Sequence, residues 1–159
     1  MTQDSLLKIL ESDARLSDCE IADRLGLTAD EVSACRAELE EQGRIVGYQA
    51  ITNDDEEVGV SAFIEVRLTP ERGGGFDRLA ERIARFDEVK SCYLASGGFD
   101  LLLQVDGCTL VDVARFVSEK LSSMDGVLST STHFRLKTYK RDGFLFGVQP
   151  SHERLSVSP

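Results

Sequence analysis

The sequence predicts an α+β chain in two parts, three short helices followed by elements in the order strand-helix-strand-strand-helix-strand. Three observations predict it. Apolar residues recur at helical spacing from Leu6 to Leu39. From Val58 the spacing switches to strand alternation, with Ala62, Ile64, Val66 and Leu68 on one face and Phe63, Glu65 and Arg67 on the other. Glycine pairs and capping residues then punctuate the remainder at the intervals such an order requires.

The first helix is expected over about Leu6–Ser12, and Asp13 to Leu16 breaks it. Ser17 opens the second, whose apolar face is Ile21, Ala22 and Leu25, and Gly26 marks the turn. Thr28 with Glu31 three residues on is a capping box. Val32, Cys35 and Leu39 carry the third helix to Gln42, with Gly43 at its end. Two helices joined by so short a turn make a helix-turn-helix, a motif whose second helix lies in the DNA major groove. Ile45 to Ile51 reads as an extended strand behind it, the winged variant, and the polar run from Thr52 to Glu57 as a linker.

In the second part, Pro70 and the Gly73-Gly74-Gly75 run end the first strand, and Phe76, Leu79, Ile83 and Phe86 define a helix. Val89–Ala95 is a second strand, Gly97-Gly98 a tight turn, and Phe99–Val105 an apolar central strand. Val113, Phe116, Val117 and Leu121 mark a second helix, closed near Asp125-Gly126, and Val127–Tyr139 alternates as the fourth strand. This is the ferredoxin-like βαββαβ plan, both helices on one sheet face. Phe63, His133 and Arg135 on the other face suggest a subunit interface. The expected organisation is a winged helix-turn-helix with hinge strand at 1–52, a ferredoxin-like domain at 58–141, and a C-terminal tail at 142–159, loose or ordered on assembly.

The chain has 159 residues and a net charge of −10. An acidic surface argues against general affinity for nucleic acid or anionic membrane without excluding a local basic patch. Cys19, Cys35, Cys92 and Cys108 form no CxxC and fall in or beside apolar stretches, which suggests buried free thiols in a reducing cytosol. No signal peptide and no apolar run of membrane-spanning length is evident, so a cytoplasmic location is expected. The only histidines are His133 and His152, and no catalytic elbow or metal-ligand spacing occurs, so neither catalysis nor a metal or other cofactor is expected. The triple glycine lacks the Lys-Ser/Thr of a phosphate loop and reads as a connection.

Three local patterns then carry a resemblance. Gly43-Arg44-Ile45-Val46-Gly47-Tyr48 fits a "G-x-I-x-G-Y" exit from the third helix. Cys92 to Asp100, ending Ser96-Gly97-Gly98-Phe99-Asp100, fits a "Y-x-x-x-G-x-Y/F-D" hairpin, and Gly126-Val127 with Thr130 and Thr132 fits "G-V-x-x-T-x-T". In this order the chain resembles the Lrp/AsnC (feast/famine) transcription regulators from about Ser5 to Lys140. The resemblance implies a regulator that binds double-stranded DNA, takes an amino acid or similar effector in its second domain, and forms homodimers that assemble into octamers. Some chains of similar build are tetrapyrrole decarboxylases, for which histidines near the third strand would be expected; here that place holds Ser96 to Asp100.

Two sites follow as expectations. For DNA they are Ser17, Thr28, Ser33, Arg36 and Arg44, which can meet phosphates through helix N-termini and side chains. The third helix departs from the family pattern, holding Cys35, Ala37, Glu38 and Glu41 where many members have Arg or Lys. Up to Thr52 five basic residues face eleven acidic ones, a net of −6. The acidity supports an alternative, a small-molecule-binding or assembly protein of the same fold with weak or lost DNA binding. For the effector they are Ser96, Gly97, Gly98, Phe99, Asp100, Thr130 and Thr132. Asp100 can accept from a ligand ammonium while the glycine turn holds a carboxylate, or it can satisfy backbone donors of its own turn.

Overall fold

The structure, a computed structural model, describes residues 2–52, 59–70 and 76–147. The expected linker at 53–57, the triple glycine, His152 and the end of the tail lie outside the described residues. The chain divides into two compact units, Met1–Thr52 and Asn53–Pro159.

The first unit holds α1 (Thr2–Ser12), α2 (Asp18–Leu25) and α3 (Ala29–Glu41). Leu6 and Leu10 of α1, Ile21 and Ala22 of α2, and Val32 and Leu39 of α3 bury one shared core. Each helix presents only a narrow apolar stripe, so three are needed to enclose it. Gly26 and Gly43 both adopt the left-handed conformation that reverses the chain after a helix, at φ 68 for each. The expected strand at Ile45–Ile51 is not formed: no backbone ladder includes these residues, and Val46 is 96% exposed. A strand needs an edge to pair with, and the three helices of this unit offer none.

The second unit is a four-stranded antiparallel sheet in the order β2-β3-β1-β4, built from β1 (Val60–Leu68), β2 (Val89–Leu94), β3 (Leu101–Gly107) and β4 (Val127–Phe134). α4 (Asp77–Ala84) and α5 (Leu110–Arg115) supply its helices, and α5 runs on into a π-helical turn over Phe116–Leu121. Ile64 and Val66 of β1, Leu101, Leu103 and Val105 of β3, Leu79 and Ile83 of α4, and Phe116 and Leu121 of the π-turn form one core. The helices therefore cover one sheet face, as the alternation of β1 requires. Gly59 stands before β1 at φ 93, where an added Cβ would lie 2.5 Å from the Gly107 carbonyl oxygen, so the residue there has to be glycine.

Three expectations need correction. β4 ends at Phe134 rather than Tyr139, because β1 is exhausted: Ala62 pairs with Phe134, Arg135 N–H donates to the Ser61 carbonyl, and Leu136 is 95% exposed. The start of the tail forms a hairpin, β5 (Lys140–Arg141) with β6 (Phe144–Leu145). Its loop is Asp142-Gly143, both at positive φ, the geometry a two-residue hairpin prefers. Phe146 is buried after it, its N–H donating to the Tyr139 carbonyl. The thiols are free, but only Cys35 and Cys92 are half-buried, and Cys19 and Cys108 are exposed. Cys19 lies on the outward side of α2, and Cys108 in the loop before α5.

Candidate DNA-contacting face and effector cleft

The helix N-termini of the first unit carry complete capping boxes. Ser17 Oγ accepts from Glu20 N–H at 3.3 Å, and Ser17 N–H donates to the Glu20 carboxylate at 2.8 Å. Thr28 and Glu31 repeat the arrangement at α3, with the same two distances. Hydrogen bonds from the Ser17 side chain and backbone hold the Glu20 carboxyl below its ordinary range, and those from Thr28 backbone and side chain do the same for Glu31. Both N-termini thus already carry a resident carboxylate where a phosphate would dock. Ser33 is exposed on α3.

The two cations expected at the DNA face are both paired within the unit. Arg36 Nε donates to Asp18 Oδ1 at 3.1 Å, and Nη2 of the same guanidinium bridges to the same oxygen. Its Nη1 reaches the Tyr48 hydroxyl at 3.5 Å, and that hydroxyl donates to Glu40 at 2.8 Å. The Arg36 side chain is only 19% exposed. Burial works against its charge, but the bonds to Tyr48 and Asp18 outweigh it and hold the guanidinium above its ordinary value. Arg44 pairs with Asp4 at 2.9 Å and donates to Gln3 at 3.1 Å. Lys8, Arg15 and Arg24 are exposed and make no ion pair among the described residues.

In the second unit, the Ser96–Phe99 turn joins β2 to β3, with Gly97 at φ 133. Asp100 is half-buried directly after it. Its Oδ2 accepts from the Leu68 N–H at 2.7 Å, its own N–H donates to the Val66 carbonyl, and its carbonyl accepts from Ala95 N–H. The carboxylate therefore caps the end of β1, satisfying a backbone donor outside its own turn. Gly98 is tied to the same strand, its carbonyl accepting from Arg67 Nε at 2.6 Å.

Beside this turn is a cleft of about 340 Å³ lined by Glu65, Arg67, Gly98, Phe99, Ser129, Thr130 and Ser131. It opens on the sheet face that the helices leave bare. Glu65 and Arg67 flank each other on β1, and the register sets Ser131 opposite Glu65 and Ser129 opposite Arg67. Of the expected effector residues, Gly98, Phe99 and Thr130 line this cleft; Ser96, Gly97, Asp100 and Thr132 do not. Thr130 and Thr132 pair with Val66 and Ile64, so their side chains belong to the helix-covered face. An extra residue in β4, Leu128, falls between the rungs Arg67–Ser129 and Leu68–Val127. This bulge keeps Val127 packed on the core while Leu128 turns outward. Glu65 and Arg67 were not among the sequence candidates; opposite charges two apart on one strand face are the signal that points to them.

The chain thus combines a helix-turn-helix unit with a sheet domain that carries a polar cleft. Comparisons with known proteins agree. The "Lrp/AsnC ligand binding domain" model matches residues 61–145, and the "Winged helix-turn-helix DNA-binding" model matches residues 5–46. The chain belongs to the Lrp/AsnC family of transcription regulators. It is 45% identical over 157 residues to the "Uncharacterized HTH-type transcriptional regulator YugG" of Bacillus subtilis, covering 97% of this chain and 95% of that protein. It is 30% identical to the "Proline dehydrogenase transcriptional activator" of Rhizobium radiobacter, covering 87% and 89%. Among solved structures it is similar to the transcriptional regulator NMB0573 of Neisseria meningitidis in complex with L-Met, with TM-score 0.68, 26% identity, and 88% and 91% coverage. These relatives are regulators of transcription, not enzymes. Among the described residues no helix is long and apolar enough to cross a membrane.

Proposed function

We propose that this regulator binds double-stranded DNA sequence-specifically and responds to an amino acid, or a compound with the same head group, bound between the Ser96–Asp100 turn and the cleft beside it. The observation that carries the effector reading is the placing of opposite charges, Glu65 and Arg67, with Ser129 and Ser131 around one cleft. A zwitterion presents an ammonium and a carboxylate a few bonds apart and finds a partner for each there. The relative solved with L-Met supports the choice of ligand class. Asp100 holds the turn in place and offers its second oxygen to an ammonium.

The test is a calorimetric titration of the twenty amino acids into wild type, Arg67→Ala and Asp100→Asn. The reading expects at least one ligand whose affinity falls about tenfold or more in Arg67→Ala, the worth of a charged hydrogen bond. A ligand bound equally well by both variants would place the site elsewhere.

A second reading has its own observation. The third helix is acidic and its one cation is paired, which favours a protein that keeps the fold for small-molecule binding or assembly. A mobility-shift titration on the protein's own upstream region at two salt concentrations separates them. Salt-sensitive binding supports the regulator; no shift at low salt, with or without ligand, supports the alternative.

A further inference from the structure

The first unit must meet a polyanion while carrying a net of −6. The ion pairs show where its positive charge is spent. Of its five cations, Arg36 is held by Asp18 and Arg44 by Asp4. Each acid comes from an earlier helix of the same unit, and each cation from α3, the helix of the motif that lies in the major groove, or from the residues just after it. The acids occupy the guanidinium edges that a phosphate would take, since carboxylate and phosphate bind that fork in the same way.

We propose that Asp18 and Asp4 are built-in competitors of DNA phosphate, autoinhibitory contacts that keep Arg36 and Arg44 from the duplex until they are displaced. This rests on the DNA-binding reading above. One pair is part-buried and fixed by two donors plus Tyr48; the other is exposed, so the two hold their cations with different strength. Arg44 exchanges partners readily in water, where an exposed pair gains little. Arg36 exchanges only when Asp18 and Tyr48 let go together. A single unit therefore binds weakly, and several units acting on one duplex supply the free energy that opens the second pair.

The experiment is a mobility-shift titration of the full chain on its own upstream DNA across a salt series. It compares wild type, Asp18→Asn, Asp4→Asn and a control, Asp23→Asn. Asp23 is an exposed acid on the same helix as Asp18 with no ion pair among the described residues. Removing any negative charge near DNA helps binding somewhat, so the control measures that share. The proposal expects Asp18→Asn and Asp4→Asn to bind several-fold tighter than Asp23→Asn at fixed salt. It also expects the slope of log affinity against log salt to steepen by about one for each cation freed. Equal gains in all three variants, or unchanged slopes, overturn it and leave the DNA-binding reading standing. No binding by wild type or any variant at low salt overturns both. If Asp18→Asn does not fold, as judged by its melting curve, the Asp4→Asn arm decides alone.

Discussion

Asp100 carries a structural contact and, in the function proposed above, a ligand contact as well. Oδ2 is committed to the Leu68 N–H at 2.7 Å, while the turn that Asp100 closes sits beside the cleft. Structural and ligand roles separate by substitution. Asp100→Ala strands a half-buried backbone donor, and the expected loss is about 1–3 kcal/mol of stability in urea denaturation. Asp100→Asn keeps an oxygen for Leu68 and should retain most of that stability, yet it removes the charge an ammonium would meet. Gly59 is a second single-residue lever. Gly59→Ala places a methyl against the Gly107 carbonyl at positive φ, so a loss above about 1 kcal/mol is expected by the same measurement.

Among the elements, α2 and α3 depend on their capping boxes. Thr28→Ala is expected to lower stability by about 1 kcal/mol. The boxes are expected to contribute an acid sensitivity to the first unit. Glu20 and Glu31 have folded pKa values depressed by their cap hydrogen bonds. Their contribution is full above the unfolded carboxylate range of about 4 and is lost as pH falls through the lower folded values. Thermal melts between pH 7 and pH 3 should show the loss, and Glu31→Gln should flatten it. The Thr28–Glu31 cap was readable in the sequence because a capping box is local, four residues from end to end. The alternation of β1, the glycine turn at Gly97-Gly98 and the order of the six main elements were readable for the same reason. What was not readable needed partners distant in the chain. The end of β4 depends on where β1 runs out, and the bulge at Leu128 on the register between them. The tail hairpin is hard to read although Asp142-Gly143 is itself a hairpin signal, because its flanking strands are two residues long. In the cleft, the sequence showed which face Glu65 and Arg67 occupy but not that the Gly98 turn folds over them. The pairing of Arg36 with Asp18 spans two helices and carries no local mark.

The whole molecule leaves one sheet face uncovered in a single chain. Phe63 and Tyr93 are exposed on it, and the segment after α3 has backbone groups without a ladder. Surfaces of this kind mark interfaces. A homodimer, assembling further toward an octamer, is the expected state, and sedimentation at micromolar concentration should show species larger than the 17.5 kDa chain. Phe63→Glu should shift that distribution toward the monomer. A single 17.5 kDa species in wild type would overturn the assembly reading.

Among the described residues the two cores share none, one being enclosed by α1, α2 and α3 and the other by the sheet and its helices. Two transitions are therefore expected on heating. A molecule that binds only the native second unit raises that unit's melting temperature by mass action and leaves the first where it was. Scanning calorimetry of the intact chain, repeated across candidate metabolites, thus becomes a search for the signal this regulator reads, one that needs neither an operator nor a reporter. A compound that lifts one transition alone is the effector's signature. A compound that lifts both shows in the same trace that binding is felt by the helices as well.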